Sequence, residues 1–247
     1  KIDGFVNLTQ NNIAIPNINY KKSDGVKSKI IFFFNFIVNK NYKINNLKYV
    51  EGNSKILLKK LKLNKNYEID NFSKIEIFTL NKGITNNSLI INNNKGVIIT
   101  GDILDVSSFL KTLHEVNDKK IISKKFNAEV LINLDKATTG TNDDVLNFSM
   151  IATIKNGSYD KLILKGNFSE NEIIEMSIYK QNDELKTLQL ISDRARPFVK
   201  SFDFIEGFDG GKLEYESTIT KNTSNSNLLI SNFKVSKVPA LAQLLTL

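Results

Sequence analysis

The stretch KSKIIFFFNFIVNK, residues 27–40, decides the fold class. Between Lys29 and Asn39 every residue except Asn35 is apolar, and all of these are β-branched or aromatic. A membrane-spanning helix needs about 20 apolar residues, whereas about nine make a long strand, so the stretch predicts a strand. Alternation puts Phe32, Phe34, Phe36 and Val38 on one face and Ile31, Phe33 and Ile37 on the other. Because both faces are apolar, each must meet a second protein layer or an apolar guest.

The composition favours a β-rich chain without metal-thiolate chemistry. With 247 residues, 41% of them hydrophobic, there is ample core material for one large all-β domain or two ordinary ones. The lack of Cys excludes disulfides and thiolate metal sites. The net charge of +8 comes from lysines scattered among many Asn and Ile, which we attribute to the codon usage of an AT-rich genome. No aromatic RNA-binding platform or recognition-helix pattern is present, so we expect no nucleic-acid partner.

Apolar and polar residues alternate along much of the chain. One face of residues 126–134 carries Phe126, Ala128, Val130, Ile132 and Leu134, and one face of residues 145–154 carries Leu146, Phe148, Met150, Ala152 and Ile154. Further strands are predicted at 161–168, 171–179, 184–191, 212–220 and 227–235. Turn signals at 156–157, 165–167, 181–183 and 209–211 join these strands, so we expect an antiparallel meander.

Three segments have helical spacing instead. They begin behind Asp105, Asp193 and Ser236, whose side chains are suited to cap helix N-termini. Their apolar faces contain Val106, Phe109, Leu110 and Leu113; Ala195, Phe198, Val199 and Phe202; and Val238, Leu241, Ala242 and Leu245. The sequence therefore predicts a mainly β fold with short amphipathic helices packed on the sheet or at its edges.

No catalytic or metal site is evident in the residue pattern. His114 is the only histidine and has no second histidine at zinc-site spacing. No phosphate loop, dinucleotide-binding glycine fingerprint or nucleophile elbow is present. We interpret Asp143 with Asp144 as a turn pair and Asp102 with Asp105 as residues near a helix start. We therefore expect no enzymatic activity, no cofactor and no bound metal.

The last third of the chain carries a family resemblance. A short helix behind Asp193 is followed by a Gly-Gly-x-Leu segment, a Leu-x-Ile-Ser-Asn-Phe-Lys-Val strand and a Pro-Ala-Leu-Ala-Gln-Leu-Leu segment. The residues concerned are Phe198, Val199, Phe202, Gly210, Gly211, Leu213, Asn232, Phe233, Val235 and Pro239 to Leu245. In this order they resemble the AsmA-like envelope proteins, in the alphaproteobacterial form of the YhdP branch. The resemblance covers residues 85–247 well and residues 1–84 loosely.

The resemblance implies an elongated, strongly curved antiparallel sheet forming a groove that carries phospholipid between the inner and outer membranes. It implies a periplasmic protein, anchored in the inner membrane through a segment absent from this chain. We expect residues 1–247 to be one elongated groove segment of a longer protein. The family has no known catalytic residues to transfer. We expect the groove to be lined by Phe32, Phe34, Phe36, Val130, Ile132, Phe148 and Met150.

Two functions from different classes remain open on the sequence. The first is a lipid-binding and lipid-transport segment without chemistry. The alternative is a structural or assembly factor for outer-membrane proteins, in which an edge strand of the sheet pairs with an extended polypeptide. A hydrolase acting on envelope glycans or lipids lacks a nucleophile or paired-carboxylate signature.

Overall fold

The computed structural model describes residues 2–22, 25–35, 42–64, 69–108, 126–182, 184–199, 208–220 and 223–235. The chain falls into two compact units, Lys1–Asp105 and Val106–Leu247, and each is described by itself. The predicted single segment over residues 1–247 stays a prediction. Phe36, Phe109, His114, Phe202 and the segment behind Ser236 lie outside the described residues.

The first unit is built on an antiparallel sheet. Its strands follow the order β1, β4, β5, β6, β8, β9, β10, and β7 pairs with β6. A separate hairpin joins β2 to β3 through a 3-10 turn at Pro16–Ile18. The bounds are β1 Ile2–Asn7, β2 Ile13–Ile15, β3 Tyr20–Lys22, β4 Ser28–Asn35, β5 Tyr42–Glu51, β6 Ser54–Leu63, β7 Ile69–Asn71, β8 Lys74–Asn81, β9 Ile84–Asn93 and β10 Val97–Asp105.

One face of this sheet, here called inner face 1, carries a buried apolar row. Direct partners in an antiparallel pair point to the same side, so the register places the row's side chains next to one another. The row runs through Ile30, Tyr49, Ile56, Ile77 and Leu89. All but Ile30 are buried. The β4 strand predicted from the sequence is confirmed over Ser28–Asn35.

The β2–β3 hairpin is fastened to this sheet by a buried polar network. The side-chain amide of Asn87, which is fully buried, donates to the carbonyl of Ile18 at 2.8 Å and to the hydroxyl of Thr79 at 2.9 Å. Its amide oxygen accepts the backbone N–H of Asp105 at 3.0 Å. Tyr20 reaches the hydroxyl of Tyr49 at 2.8 Å. Burial and hydrogen bonding raise the pKa of Tyr20, so its hydroxyl stays neutral in the network.

The second unit is an antiparallel meander in which each strand pairs with the next along the chain. A short helix, α1 at Arg196–Val199, precedes β16. The strand bounds are β11 Ala128–Thr138, β12 Val145–Lys155, β13 Ser158–Ser169, β14 Glu172–Lys180, β15 Lys186–Ser192, β16 Phe208–Ile219 and β17 Ser224–Val235. This confirms the predicted meander.

Helix α1 closes one end of the apolar face of this sheet, here called inner face 2. Beside the helix, Ala195, Val199 and Leu213 form a buried cluster, against which Phe198 packs. Phe198 also packs against a second cluster of Ala137, Val145, Phe168 and Ile174. The predicted apolar face at Ala195, Phe198 and Val199 is therefore confirmed as a packing surface. Asp193, predicted to cap the helix, instead accepts the N–H of Ile173 and the ammonium of Lys212.

Two predicted turns lie inside strands. Residues 165–167 belong to β13, where Gly166 lets the Val145 side chain approach the backbone, because an added Cβ would lie 2.4 Å from it. Residues 209–211 belong to β16, where Gly210 and Gly211 both have positive φ. A Cβ on Gly211 would lie 2.9 Å from the Phe233 side chain. The glycine pair therefore marks a close approach of two neighbouring strands and not a hairpin turn. The turn predicted at 156–157 is confirmed.

The face predicted for residues 145–154 is wrong at its N-terminal end. Leu146 was expected to share a side with Phe148, but Leu146 is exposed and Val145 is buried. Asn147 has a φ of 49°, and the register against β13 shifts between Leu146 and Ser149. This bulge changes the alternation by one residue, because an inserted residue reverses which side the following side chains face.

An ion-pair cluster joins the α1 segment to the loop before β12. The Asp143 side chain, 3% exposed, accepts hydrogen bonds from Arg194 at 2.8 Å and from Arg196 at 2.7 Å. Arg194 also pairs with Glu172, and Arg196 with Asp209 at 2.8 Å. Burial acts to raise the pKa of Asp143, but the two guanidinium groups outweigh it and hold the pKa below its usual value. The cluster thereby fixes the start of α1 over the sheet.

The described residues are mainly strand, and the helical ones are only α1, the 3-10 turn and Ser107–Ser108. The predicted fold class, mainly β and antiparallel with short helices, is confirmed. Within the described ranges, no helix has the length and apolar character needed to span a bilayer.

We predict that Phe198→Asp lowers the free energy of unfolding by about 3 kcal/mol or more, since it removes a packed ring and places a carboxylate between two apolar clusters. Urea denaturation measures the change. Leu229→Asp, at a side chain 55% exposed, is the control and should change stability little. Equal stability of the two variants would show that α1 is not packed as described.

We predict that Asp143→Asn lowers the free energy of unfolding at pH 7 by about 2 to 3 kcal/mol, because two guanidinium groups lose their shared carboxylate. A depressed folded-state pKa stabilises the protein above the unfolded pKa, near 3.9, and this contribution disappears as the pH falls through the folded pKa. The gap between wild type and variant should therefore narrow below about pH 4.

Urea denaturation at pH 7 and pH 3 tests this expectation. Asp144→Asn is the matched control, because the neighbouring carboxylate makes only a half-exposed pair with Lys136 at 3.3 Å. If the difference in free energy of unfolding between wild type and Asp143→Asn is the same at pH 7 and pH 3, the assigned role of Asp143 is wrong.

Candidate functional site

Inner face 2 carries a continuous apolar band that is partly accessible. The register aligns one side chain from each of the seven strands β11 to β17. Exposure rises along the band from 9% at Ile132 to 49% at Leu228. Here called band 2, it contains Ile132, Met150, Leu164, Met176, Leu190, Tyr215 and Leu228. Six strand gaps of about 4.8 Å give it a length of about 29 Å.

A row of buried apolar side chains lies beside band 2 on inner face 2, and it is here called the floor. It consists of Val130, Ala152, Leu162 and Ile178, paired in register across four strands. All four side chains are buried. The partly exposed band thus rests beside packed core, which fixes its side chains in place.

Inner face 1 has an equivalent band. It crosses six strands through Phe32, Leu47, Leu58, Ile75, Ile91 and Ile99, all of intermediate exposure. The Phe32 and Phe34 rings lie 5.4 Å apart on this face. Gly4 lies under the Phe32 ring, whose nearest atom would be 3.1 Å from an added Cβ.

The structure places most of the predicted groove residues on these faces. Phe32 and Phe34 lie on inner face 1, partly exposed. Val130 and Ile132 are buried, with Val130 in the floor and Ile132 at the buried end of band 2. Met150 belongs to the band, and Phe148 packs against the buried cluster that contains Val145 and Ile174. Phe36 lies outside the described residues. Their contact with lipid stays a prediction.

The outward side of the second unit is different in chemistry. On β13 and β14, Lys165 and Glu175 face each other and form an ion pair of 2.8 Å. On β15 and β16, the Gln189 side chain donates to Glu216 at 2.7 Å. An outer apolar row of Leu131, Ile151 and Ile163 crosses three strands and ends at Ser177 on β14. The inner face differs from the outer one because its apolar row continues across all seven strands.

The end of inner face 2 opposite α1 has a lysine-lined pocket of about 640 Å³. Lys180 lies two residues after Ile178 on β14, and Lys186 lies two residues before Leu188 on β15. Because side chains two residues apart in a strand share a face, both lysines point to the inner side. Ile178 and Ile219 form part of the apolar wall, and Tyr159 adds a ring. Here called the lysine pocket, it also includes Lys155, Asn156, Ser158, Asp160, Glu184 and Thr220.

Charges in the lysine pocket are close together and partly withdrawn from water. Asp160 pairs with Lys155 at 3.0 Å and lies 3.9 Å from Lys180. Lys186 donates to the Ser158 hydroxyl. Burial lowers the pKa of Lys186; the Asp160 carboxylate opposes this shift more strongly than the charge of Lys180 adds to it. Burial also raises the pKa of Tyr159. An additional anion here would compensate the partial desolvation of the ammonium groups.

The described side chains bring together no set of three metal-ligating carboxylate or histidine groups. The charged groups of the Asp143 cluster pair with one another, as expected for the structural role predicted from the sequence. What the geometry provides is apolar surface beside a cationic end. Apolar surface beside cationic groups is the kind of surface that suits amphiphilic ligands.

Sequence reasoning missed the lysine pocket, although a signal was present. Alternation through residues 174–180 and 186–190 puts Lys180 and Lys186 in phase with apolar inner positions, on both sides of a turn at 181–183. Two lysines at inner-face phase next to one turn indicate a cationic end to an apolar face.

Comparison with known proteins returns no matching family model, no matching curated protein and no matching solved structure. The resemblance to the AsmA-like envelope proteins therefore stays a prediction, supported by the sequence order of the second unit and compatible with its β-meander.

Proposed function

We propose that this chain is a non-enzymatic lipid-binding segment whose inner faces hold acyl chains. Band 2 is the observation that carries the proposal, because seven apolar residues stand in register, all but Ile132 are at least partly accessible, and a buried apolar row lies beside them. In the setting implied by the family resemblance, the segment carries phospholipid between the inner and outer membranes. It works in the periplasm and is held at the inner membrane by a part of the protein outside this chain.

The dimensions of band 2 suit an acyl chain. The hydrocarbon core of a bilayer is about 30 Å thick, so the chains of one leaflet extend about 15 Å. The band is about twice as long, and its side chains are aliphatic or thioether groups apart from Tyr215. Each buried methylene contributes about 0.8 kcal/mol, so an acyl chain binds without a specific polar partner. Met150 and Met176 add flexible, polarizable surface that adapts to chain shape.

The assembly-factor alternative is favoured by one feature. Among the described residues of the second unit, strand β17 is the last strand in the pairing order, and it exposes Leu228, Leu229 and Phe233. Exposed edge strands pair with extended polypeptides, and apolar side chains add specificity. Crosslinking of β17 to an unfolded outer-membrane polypeptide, without lipid recovery, would support this function over lipid binding.

We predict that Met150→Glu lowers the affinity for a lipid with a fluorescent acyl chain at least tenfold, since a carboxylate in the band must be desolvated by the bound chain. Ile151→Glu is the matched control. It introduces the same charge one residue away on the outer face, at a side chain 53% exposed, and should bind lipid as wild type does.

Circular dichroism and urea denaturation establish that both variants are folded. A second pair, Met176→Glu with Ser177→Glu, repeats the comparison on β14 should Met150→Glu unfold. Equal lipid affinity of inner and outer variants contradicts the proposed binding surface.

A further inference from the structure

The lysine pocket is the strongest feature that the proposed acyl-chain function does not use. It collects three ammonium groups, from Lys155, Lys180 and Lys186, and two carboxylates, from Asp160 and Glu184. Here they meet around an open volume whose wall is partly apolar.

We propose that the lysine pocket holds the phosphate of an anionic lipid whose acyl chains lie on inner face 2. The inference deepens the proposed function and rests on it, because it assigns a head-group site and an expected preference for anionic over uncharged lipids. Ammonium groups bind phosphate by charge-assisted hydrogen bonds. The net charge of the five ionised groups is +1, so a monoanionic phosphodiester balances them.

The geometry favours a lipid phosphate over a soluble anion. Ile178 belongs both to the pocket wall and to the apolar floor, so the charged and apolar surfaces are continuous. Along β14, Lys180 lies four residues from Met176 of band 2, a separation of about 13 Å. An acyl chain of about 15 Å attached to a phosphate at the pocket therefore reaches the band.

Lys186 is the residue best placed to recognise the head group. Its ammonium donates to Ser158, and burial lowers its pKa although the Asp160 carboxylate opposes the shift. It stands directly opposite Lys180 across the β14–β15 pair, so a phosphate oxygen beside it replaces lost hydration and can contact both ammonium groups. Asp160 holds Lys155 nearby, which keeps the cationic side of the pocket assembled before a ligand arrives.

The experiment compares two lipids with identical fluorescent chains, phosphatidylglycerol and diacylglycerol, binding to the intact 247-residue chain in 0.15 M salt. Wild type should bind phosphatidylglycerol about five- to tenfold more tightly. Lys186→Gln should remove most of this preference and leave diacylglycerol affinity within about twofold. Higher salt should also reduce the preference for phosphatidylglycerol, because it screens the attraction between lysine and phosphate.

Lys161→Gln is the matched control. It removes the same charge from an exposed position on the outward side of β13, opposite Tyr179, and should keep the preference. Lys180→Gln provides a second pocket variant should Lys186→Gln lose its fold.

The outcomes distinguish failure of the head-group assignment from failure of the acyl-chain function. Equal affinity for the two lipids in wild type, or equal loss in Lys161→Gln and Lys186→Gln, overturns the head-group assignment while acyl-chain binding stands. Binding of inorganic phosphate alone with the affinity of phosphatidylglycerol overturns it in favour of a soluble anion. Failure of wild type to bind either lipid overturns the acyl-chain function together with the head-group assignment.

Discussion

Everything in the second unit depends on cross-strand register. In an antiparallel meander, direct partners share a face, so one correctly set hairpin aligns whole rows of side chains. The Asn156–Gly157 turn, with both residues at positive φ, is the kind of turn that fixes the register between β12 and β13. A slip by one residue at any hairpin would turn a strand's apolar residues to the polar outer side. Band 2 and its floor therefore exist only as long as six registers agree.

The two ends of inner face 2 are held by different kinds of interaction. At one end, α1 and its neighbours bury apolar surface, and the Asp143 carboxylate binds two guanidinium groups that orient the helix start. Apolar burial supplies the larger part of the stability, whereas the ion pairs select one position for the segment. At the other end, lysines replace apolar side chains at inner positions, so that end carries charge. One face thus has a packed apolar end and a charged end.

Strand alternation made much of this fold predictable. The inward positions of Val130, Ile132 and Met150 follow from period-two spacing alone. Bulges were the main source of error, because the left-handed Asn147 moves Val145 inward in place of Leu146, and nothing in the local pattern marks it. Glycines at 166, 210 and 211 looked like turns because glycine permits both positive φ and close chain approach. Which role applies depends on Val145 and Phe233, residues distant in sequence.

The polar network of the first unit was beyond local prediction for the same reason. Asn87 reaches Ile18, 69 residues away, and an Asn within a strand gives no indication of its partner. The lysine pocket is an intermediate case, since phase predicts that Lys180 and Lys186 point inward but not that Lys155 and Asp160 join them.

The difference between the Asn87 network and the lysine pocket bears on function. A buried Asn whose hydrogen bonds are made within the protein has its polar groups satisfied, whereas the charged groups of the lysine pocket are partly desolvated and carry a net charge of +1. A face that ends in partly desolvated ammonium groups is better suited to an anionic amphiphile than to a second protein layer. Packing a protein layer there would bury those ammonium groups at a cost that lipid phosphate does not impose.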